Sequence, residues 1–229
     1  MRPGSVLSAW LPVPCVFCGA ADRHAGVCDG CHADLPGLAT ARCPVCGIAT
    51  PGAQVCGACL HSPPAFTHTV AAADYAFPLD AAVVRLKYGR DLALVNALGV
   101  VLRDALRDAP RPDVVVPMPL SEARLRARGF NQAGELARVV ADALRLNLLP
   151  AAVARTRDAP PQASLPLSER AQNVRGVFAC TRDLEGLDVA VIDDVMTTGA
   201  TLDALASELR RAGARKVSCW VLARTPRPG

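Results

Sequence analysis

Val189 to Ile192 are four apolar residues that run straight into two adjacent acids, Asp193 and Asp194. Val195 and Met196 follow, then a turn of small and hydroxyl-bearing residues, Thr197-Thr198-Gly199-Ala200-Thr201. Leu202, Leu205 and Leu209 come next at helical spacing. A short apolar run bounded in this way reads as a buried strand, and the leucine spacing reads as the inner face of a helix. In an open α/β sheet a ligand sits just outside the carboxyl ends of the strands, which is where the acids and the turn fall. Free N–H groups at a helix start favour a phosphate, and Gly199 lets the backbone come close to it. Two carboxylates beside that phosphate can accept hydrogen bonds from vicinal sugar hydroxyls or hold a hydrated Mg²⁺. A ribose 5-phosphate satisfies both halves. The plainer alternative, a strand ending in two solvated acids, accounts for the acids but not for the turn attached to them.

The rest of the chain supplies the sheet that such a motif needs. Phe66 to Phe77 alternates weakly, as an antiparallel edge strand would, and Leu79 to Leu106 is apolar at helical spacing with a break near Tyr88-Gly89. Val114-Val115-Val116 reads as a buried strand. Asn131 to Leu144 reads as a helix with Leu136, Val139, Val140 and Leu144 on one face. Leu148 to Ala154 and Val217 to Leu222 fit further strands. Strands alternating with helices predict an α/β fold, a mostly parallel sheet with helices on both faces. Its core must be built from Ala, Val and Leu, because the chain is 51% hydrophobic but only 4% aromatic. No apolar run reaches the ~18–20 residues of a membrane span. The first fifteen residues, with one Arg and a proline-broken apolar stretch, make a poor signal peptide. No membrane insertion and a cytoplasmic location are expected.

With 229 residues, one such domain leaves room for a small appended module, and the cysteines mark it. Eight of the ten lie in C-x-x-C pairs, Cys15/Cys18, Cys28/Cys31, Cys43/Cys46 and Cys56/Cys59. CVFCG…VCDGC and CPVCG…VCGAC each hold nine residues between their pairs and are offset by 28 positions, which makes an internal repeat. In a cytoplasmic chain such pairs point to metal rather than disulfides. Two knuckles present four sulfurs tetrahedrally, as Zn²⁺ prefers in closed structural sites. The repeat favours one zinc per copy, while a cross-braced pairing remains open. Ser62-Pro63-Pro64 reads as a stiff linker, dividing a double zinc ribbon at 1–62 from an α/β domain at 63–229. Eight thiolates and two Zn²⁺ bring the formal charge of +4 near zero, so net charge says nothing about nucleic acid. Cys180 and Cys219 sit in apolar strand-like surroundings and read as core residues.

Three further segments carry cations. Pro117-Met118-Pro119-Leu120-Ser121 follows a strand, and Arg124, Arg126 and Arg128 follow it, with bidentate donors suited to a polyanion. Alternate arginines that merely solvate a surface are the other reading. Arg155 to Arg175 includes Arg157 and Arg170 and is long for an aperiodic loop, which suits a basic flap closing over a leaving group, while a disordered surface loop fits the composition equally well. Lys87 lies in Leu86-Lys87-Tyr88-Gly89-Arg90, at a chain reversal.

The acid pair with its Thr-Thr-Gly-Ala-Thr turn resembles the signature by which type I phosphoribosyltransferases bind 5-phosphoribosyl-1-pyrophosphate (PRPP). The paired C-x-x-C units, LKYG, P-x-PL, RLRARGFNQ and R-x-R-x-x-PPQ…NVRG-x-F together are similar to the ComF family, with Ser121 where that family often has His. The resemblance implies an N-terminal double zinc ribbon and a PRPP-binding domain, linked in bacteria to competence and DNA uptake. Asp193 and Asp194 would then be the catalytic pair, with Thr197, Thr198, Gly199, Ala200 and Thr201 holding the 5-phosphate. Pro119, Leu120, Lys87, Arg124, Arg126, Arg128, Arg157 and Arg170 would face pyrophosphate or close over it, with Mg²⁺ accompanying PRPP or a nucleoside 5-phosphate. The implied activity is phosphoribosyl transfer to an unnamed acceptor. The alternative is a sensing module whose ribbons dock single-stranded DNA or a DNA-uptake helicase.

Overall fold

The computed structural model describes residues 13–22, 26–37, 40–89, 91, 93–156 and 176–226. Its centre is a sheet of five parallel strands in the order β3-β9-β8-β4-β5. They are β3 (His68–Asp74), β4 (Val114–Pro117), β5 (Asn147–Leu148), β8 (Asp188–Met196) and β9 (Lys216–Arg224). Side chains alternate across each strand, so each strand serves two cores. Val115, Ala190, Ile192, Trp220 and Leu222 pack with the helices α3 (Leu79–Tyr88), α4 (Ala93–Ala105) and α6 (Gln132–Leu144) on one face. Val114, Val116, Val189, Val191, Cys219 and Val221 pack with α7 (Ala200–Arg211) on the other. A fully buried Leu such as Leu98 or Leu205 contributes roughly 1.5–3 kcal/mol over leaving it exposed. Cys219 is buried among these residues, whereas Cys180 is only half-buried, with its thiol against the Arg182 carbonyl.

Three expectations need correction. Phe66 to Phe77 does hold an edge strand, but β3 runs parallel to β9, with Val70 opposite Trp220. The chain reaches β4 through α3 and α4, a crossover long enough to reverse direction twice. Leu148 to Ala154 is not one strand. Leu149 donates its N–H to Val115 and the chain turns at Pro150. β6 (Val153–Arg155) then pairs antiparallel with β7 (Phe178–Cys180), outside the main sheet. The strand expected to end at Ile192 runs on to Met196, because β9 remains beside it as far as Arg224. Among the described residues no helix is long and apolar enough to cross a membrane.

The cysteine repeat precedes this sheet. A two-residue pairing of β1 (Val13–Pro14) with β2 (Ala21–Asp22) and the short helix α1 (Asp29–Ala33) carry the first copy. α2 (Gly57–His61) carries the end of the second. Val16, Phe17 and Val27 of the first copy pack into the α3–α4 core. Val45 and Cys46 of the second pack into the α7 core. α5 (Glu122–Arg128), between β4 and α6, completes the described elements used below.

Candidate functional site

β4 and β8 part company at their carboxyl ends. Their pairing stops at Pro117 opposite Ile192, and Met118 still donates its N–H to the Ile192 carbonyl at 2.8 Å. β4 then leaves toward α5 and α6 on one face, while β8 continues toward α7 on the other. Strands that diverge to opposite faces open a crevice between them, the usual ligand position in such sheets. A cleft of about 300 Å³ lies there.

Its first wall is β8 and the loop beyond. Asp194 is 9% exposed and Asp193 half-buried, and Lys87 Nζ, from the last turn of α3, lies 3.0 Å from Asp194 Oδ2. Asp193 Oδ1 accepts the Asp194 N–H at 2.8 Å. Burial and then the Asp194 charge push the Asp193 carboxyl up to about 8. That N–H and the cations of Lys87 and Arg155 pull the other way. A pair held in this state is suited to a cation or to several hydrogen-bond donors. Gly199 starts α7 at φ +85°, a left-handed conformation that side chains resist, and an added Cβ would stand 2.7 Å from Met196 Cε. Thr197, Gly199 and Thr201 line the cleft. Thr198 and Ala200 belong to the turn itself, where the Thr198 hydroxyl accepts the Ala200 N–H at 3.3 Å.

The second wall follows β4. Pro119 and Leu120 line it, and Ser121 caps α5 by accepting the Arg124 N–H at 3.4 Å. Helical geometry then sorts the three arginines. Arg124 and Arg128, one turn apart, line the cleft, while Arg126 lies on the outer face near Glu122, its side chain 77% exposed. Arg128 sits over the Tyr88 ring at 5.4 Å and donates to Gln132 Oε1 at 3.1 Å. Arg157 and Arg170 lie outside the described residues.

Three more residues complete the lining. Arg155, the end of β6, reaches the cleft past the Phe178 ring. Asn131, at the start of α6, donates to the Met118 carbonyl at 3.0 Å, which leaves its Oδ1 without a partner among the described residues. Gln132 is 1% exposed, and its Nε2 is likewise unpartnered there. A buried amide without a partner costs on the order of 1–3 kcal/mol, so both groups are open to a polar atom that enters the cleft. Their signal in the sequence was the polar Asn-Gln step between a glycine and an amphipathic helix. That is a helix start aimed at the strand ends.

The eight paired cysteines form two clusters, one per repeat. Cys15, Cys18, Cys28 and Cys31 lie within 4.8 Å of one another, and so do Cys43, Cys46, Cys56 and Cys59. Four sulfurs about 2.3 Å from one ion stand about 3.8 Å apart in a tetrahedron. Cys18 and Cys28 are 3.7 Å apart, Cys46 and Cys56 3.6 Å. In each knuckle a backbone N–H points at a sulfur, Cys28 to Cys15 at 3.5 Å and Cys56 to Cys43 at 3.3 Å. Gly19 and Gly47 take positive φ at the turns. Burial opposes ionisation of Cys15, but N–H donors from Cys28, Cys18 and Phe17 outweigh it and bring the thiol down to about 6. Burial and then the neighbouring sulfurs push Cys31 and Cys59 far up, as expected of four thiols that need a shared cation. Both sets fit Zn²⁺.

Residues 6–60 match the double zinc ribbon domain family, and residues 123–228 match the phosphoribosyl transferase domain family. The chain is 35% identical over 209 residues to the DNA utilization protein YhgH of Escherichia coli K12, covering 88% of this chain and 92% of that one. It is 31% identical over 209 residues to the competence protein F of Haemophilus influenzae Rd, covering 87% and 90%. It is also 31% identical over 155 residues to the competence protein ComFC of Bacillus subtilis 168, covering 62% and 58%.

Proposed function

The chain belongs to the ComF family of competence and DNA utilization proteins, and on that premise we propose that it binds PRPP and transfers its phosphoribosyl group to an acceptor. The observation that carries this reading is the convergence of Asp193, Asp194, the Thr197–Thr201 loop, Lys87, Arg124 and Arg128 on one cleft. In this reading the 5-phosphate rests on the backbone from Thr197 to Thr201, and the ribose hydroxyls donate to Asp193 and Asp194. Asp193 and Asp194 would hold a hydrated Mg²⁺, which would supply charge neutralisation for the pyrophosphate. The C1–oxygen bond breaks, pyrophosphate leaves with the electron pair, and the acceptor bonds to C1 and gives up its proton to the departing pyrophosphate or to water. Arg124 and Arg128 stabilise the charge that gathers on the leaving group. Lys87 releases Asp194 when the ligand hydroxyls arrive.

Competence and DNA utilization, the setting named for the relatives, is the setting proposed here. Docking of single-stranded DNA or an uptake helicase on the ribbons rests on those names and adds no residue to the cleft. Exchange of labelled pyrophosphate into PRPP, with and without nitrogenous acceptors, tests the transfer. Exchange supports it, and binding without exchange under any acceptor turns the site into a sensor. No binding of PRPP or a nucleoside 5-phosphate at millimolar concentration with Mg²⁺ defeats both.

A further inference from the structure

Arg224 closes β9 and, although charged, is only 4% exposed. Such burial survives only where hydrogen bonds replace water. Its Nε donates to the Cys46 carbonyl at 2.9 Å, and its Nη1 to the Met196 carbonyl at 3.0 Å, to the Thr197 carbonyl, and to the Thr225 carbonyl at 2.9 Å. Cys46 is a sulfur donor of the second cluster, and Met196 and Thr197 open the loop that leads to Gly199. A single guanidinium therefore joins the metal knuckle to the loop.

The knuckle is itself fastened to the sheet. The Thr69 hydroxyl donates to the Val45 carbonyl at 2.6 Å, the Thr69 N–H to the Pro44 carbonyl at 2.9 Å, and Arg42 pairs with Asp74 at 2.9 Å. Peptide planarity gives the bridge a direction. In a trans peptide the C=O and the following N–H point to opposite sides. Drawing the Met196 and Thr197 carbonyls toward Arg224 thus turns the N–H groups of Thr197 and Thr198 away from it.

We propose that Arg224 is a positioning residue that couples the second four-cysteine site to the phosphate loop, so that an ordered knuckle around Cys46 sets the loop for anion binding. The coupling rests on the phosphate reading of the loop. Lysine at 224 keeps the charge but lacks the fork that spans both Cys46 and Thr197.

The test uses the full, zinc-loaded chain. Arg224→Lys should bind Mg²⁺–PRPP at least about tenfold more weakly than the wild type, the scale of one lost charge-assisted bond, while keeping its zinc content. Coupling is reciprocal. Bound PRPP should therefore reduce the equilibrium transfer of one of the two zinc ions to a competing chromogenic chelator in the wild type, and of neither in Arg224→Lys. Equal PRPP affinity in the two proteins, or wild-type zinc transfer indifferent to bound PRPP, overturns the proposal. If the wild type binds no PRPP, the functional reading fails on its own. The link is then judged by amide exchange at Thr197 and Thr198 in Cys56→Ser. The same measurement decides if Arg224→Lys does not fold. Faster exchange upholds the link, and unchanged exchange overturns it.

Discussion

On the β8 side of the cleft Asp194 is 9% exposed, Gly199 is held at φ +85°, and the Met196 and Thr197 carbonyls are tied to the buried Arg224. On the β4 side Arg124 is exposed and α5 presents no buried residue to the core. The first wall is therefore set before a ligand arrives. The second depends on Arg124, an exposed side chain that gives up rotamer freedom on meeting an anion at a cost of up to about 2 kcal/mol, beside an Arg128 already held by Tyr88 and Gln132. Substitutions on the β8 side should accordingly act on ligand affinity, and those on the β4 side on the transfer step, where the leaving group gathers charge.

The largest effect belongs to Gly199→Val. A β-branched residue resists positive φ and its Cβ crowds Met196, so PRPP affinity should fall more than about a hundredfold, combining backbone strain with blocked phosphate approach. Calorimetric titration measures it, and binding within tenfold of the wild type would move the phosphate seat off this loop. Asp194→Asn comes next, with a loss of about ten- to a hundredfold, because a charge-assisted acceptor disappears and Lys87 loses its carboxylate. The same titration without Mg²⁺ should narrow the gap between the two proteins.

The two walls were also unequally legible in the sequence. Asp193 to Thr201 are contiguous, and strand, acids, turn and helix each carry a local signal. The local structure of the Asp193–Thr201 half of the cleft could therefore be read directly. The far wall is assembled from α3, the β4–α5 segment, the start of α6 and the end of β6. Nothing local says that Lys87 reaches Asp194, nor that Arg155 passes Phe178 to arrive at the same place. Arg124 and Arg128 could have been separated from Arg126 by their i,i+4 spacing, had Glu122–Arg128 been read as a helix. The cysteine repeat was legible as two four-cysteine sites, and it favoured one per copy while leaving cross-bracing open until the sulfurs were placed. Its attachment through Arg224, 178 positions from Cys46, was not, because a single buried arginine at a strand end has no pattern to announce it.

Arg128→Ala sharpens the contrast between the walls. It removes the cation held between Tyr88 and Gln132, and the transfer rate should drop about tenfold with PRPP affinity changed only a few-fold. Arg126→Ala, on the outer face, should leave both within about twofold, since an exposed ion pair contributes little. Steady-state kinetics of both variants separates the cases. An equal loss in the two would mean that α5 acts by general charge rather than by aimed side chains.

The smallest effect tests whether the β8 wall is poised before binding. The folded chain holds the Asp193 proton more tightly than the unfolded chain, its ordinary value of 3.8 being raised to about 8 by burial and by Asp194. The stability this proton contributes is complete below the ordinary value and is lost progressively as pH rises toward 8. Asparagine cannot titrate, and its Oδ1 can still accept the Asp194 N–H. Asp193→Asn should therefore be more stable than the ligand-free wild type above neutrality. The gap in Tm should widen by a few degrees between about pH 6 and 8 and level off beyond, on the scale of 1.36 kcal/mol per pKa unit discounted for a half-buried group. Thermal melts in zinc-containing buffer read it. A gap that stays flat across that range would mean that Lys87 and Arg155 already balance the pair, and the β8 wall would then be no more strained than the arginine wall opposite.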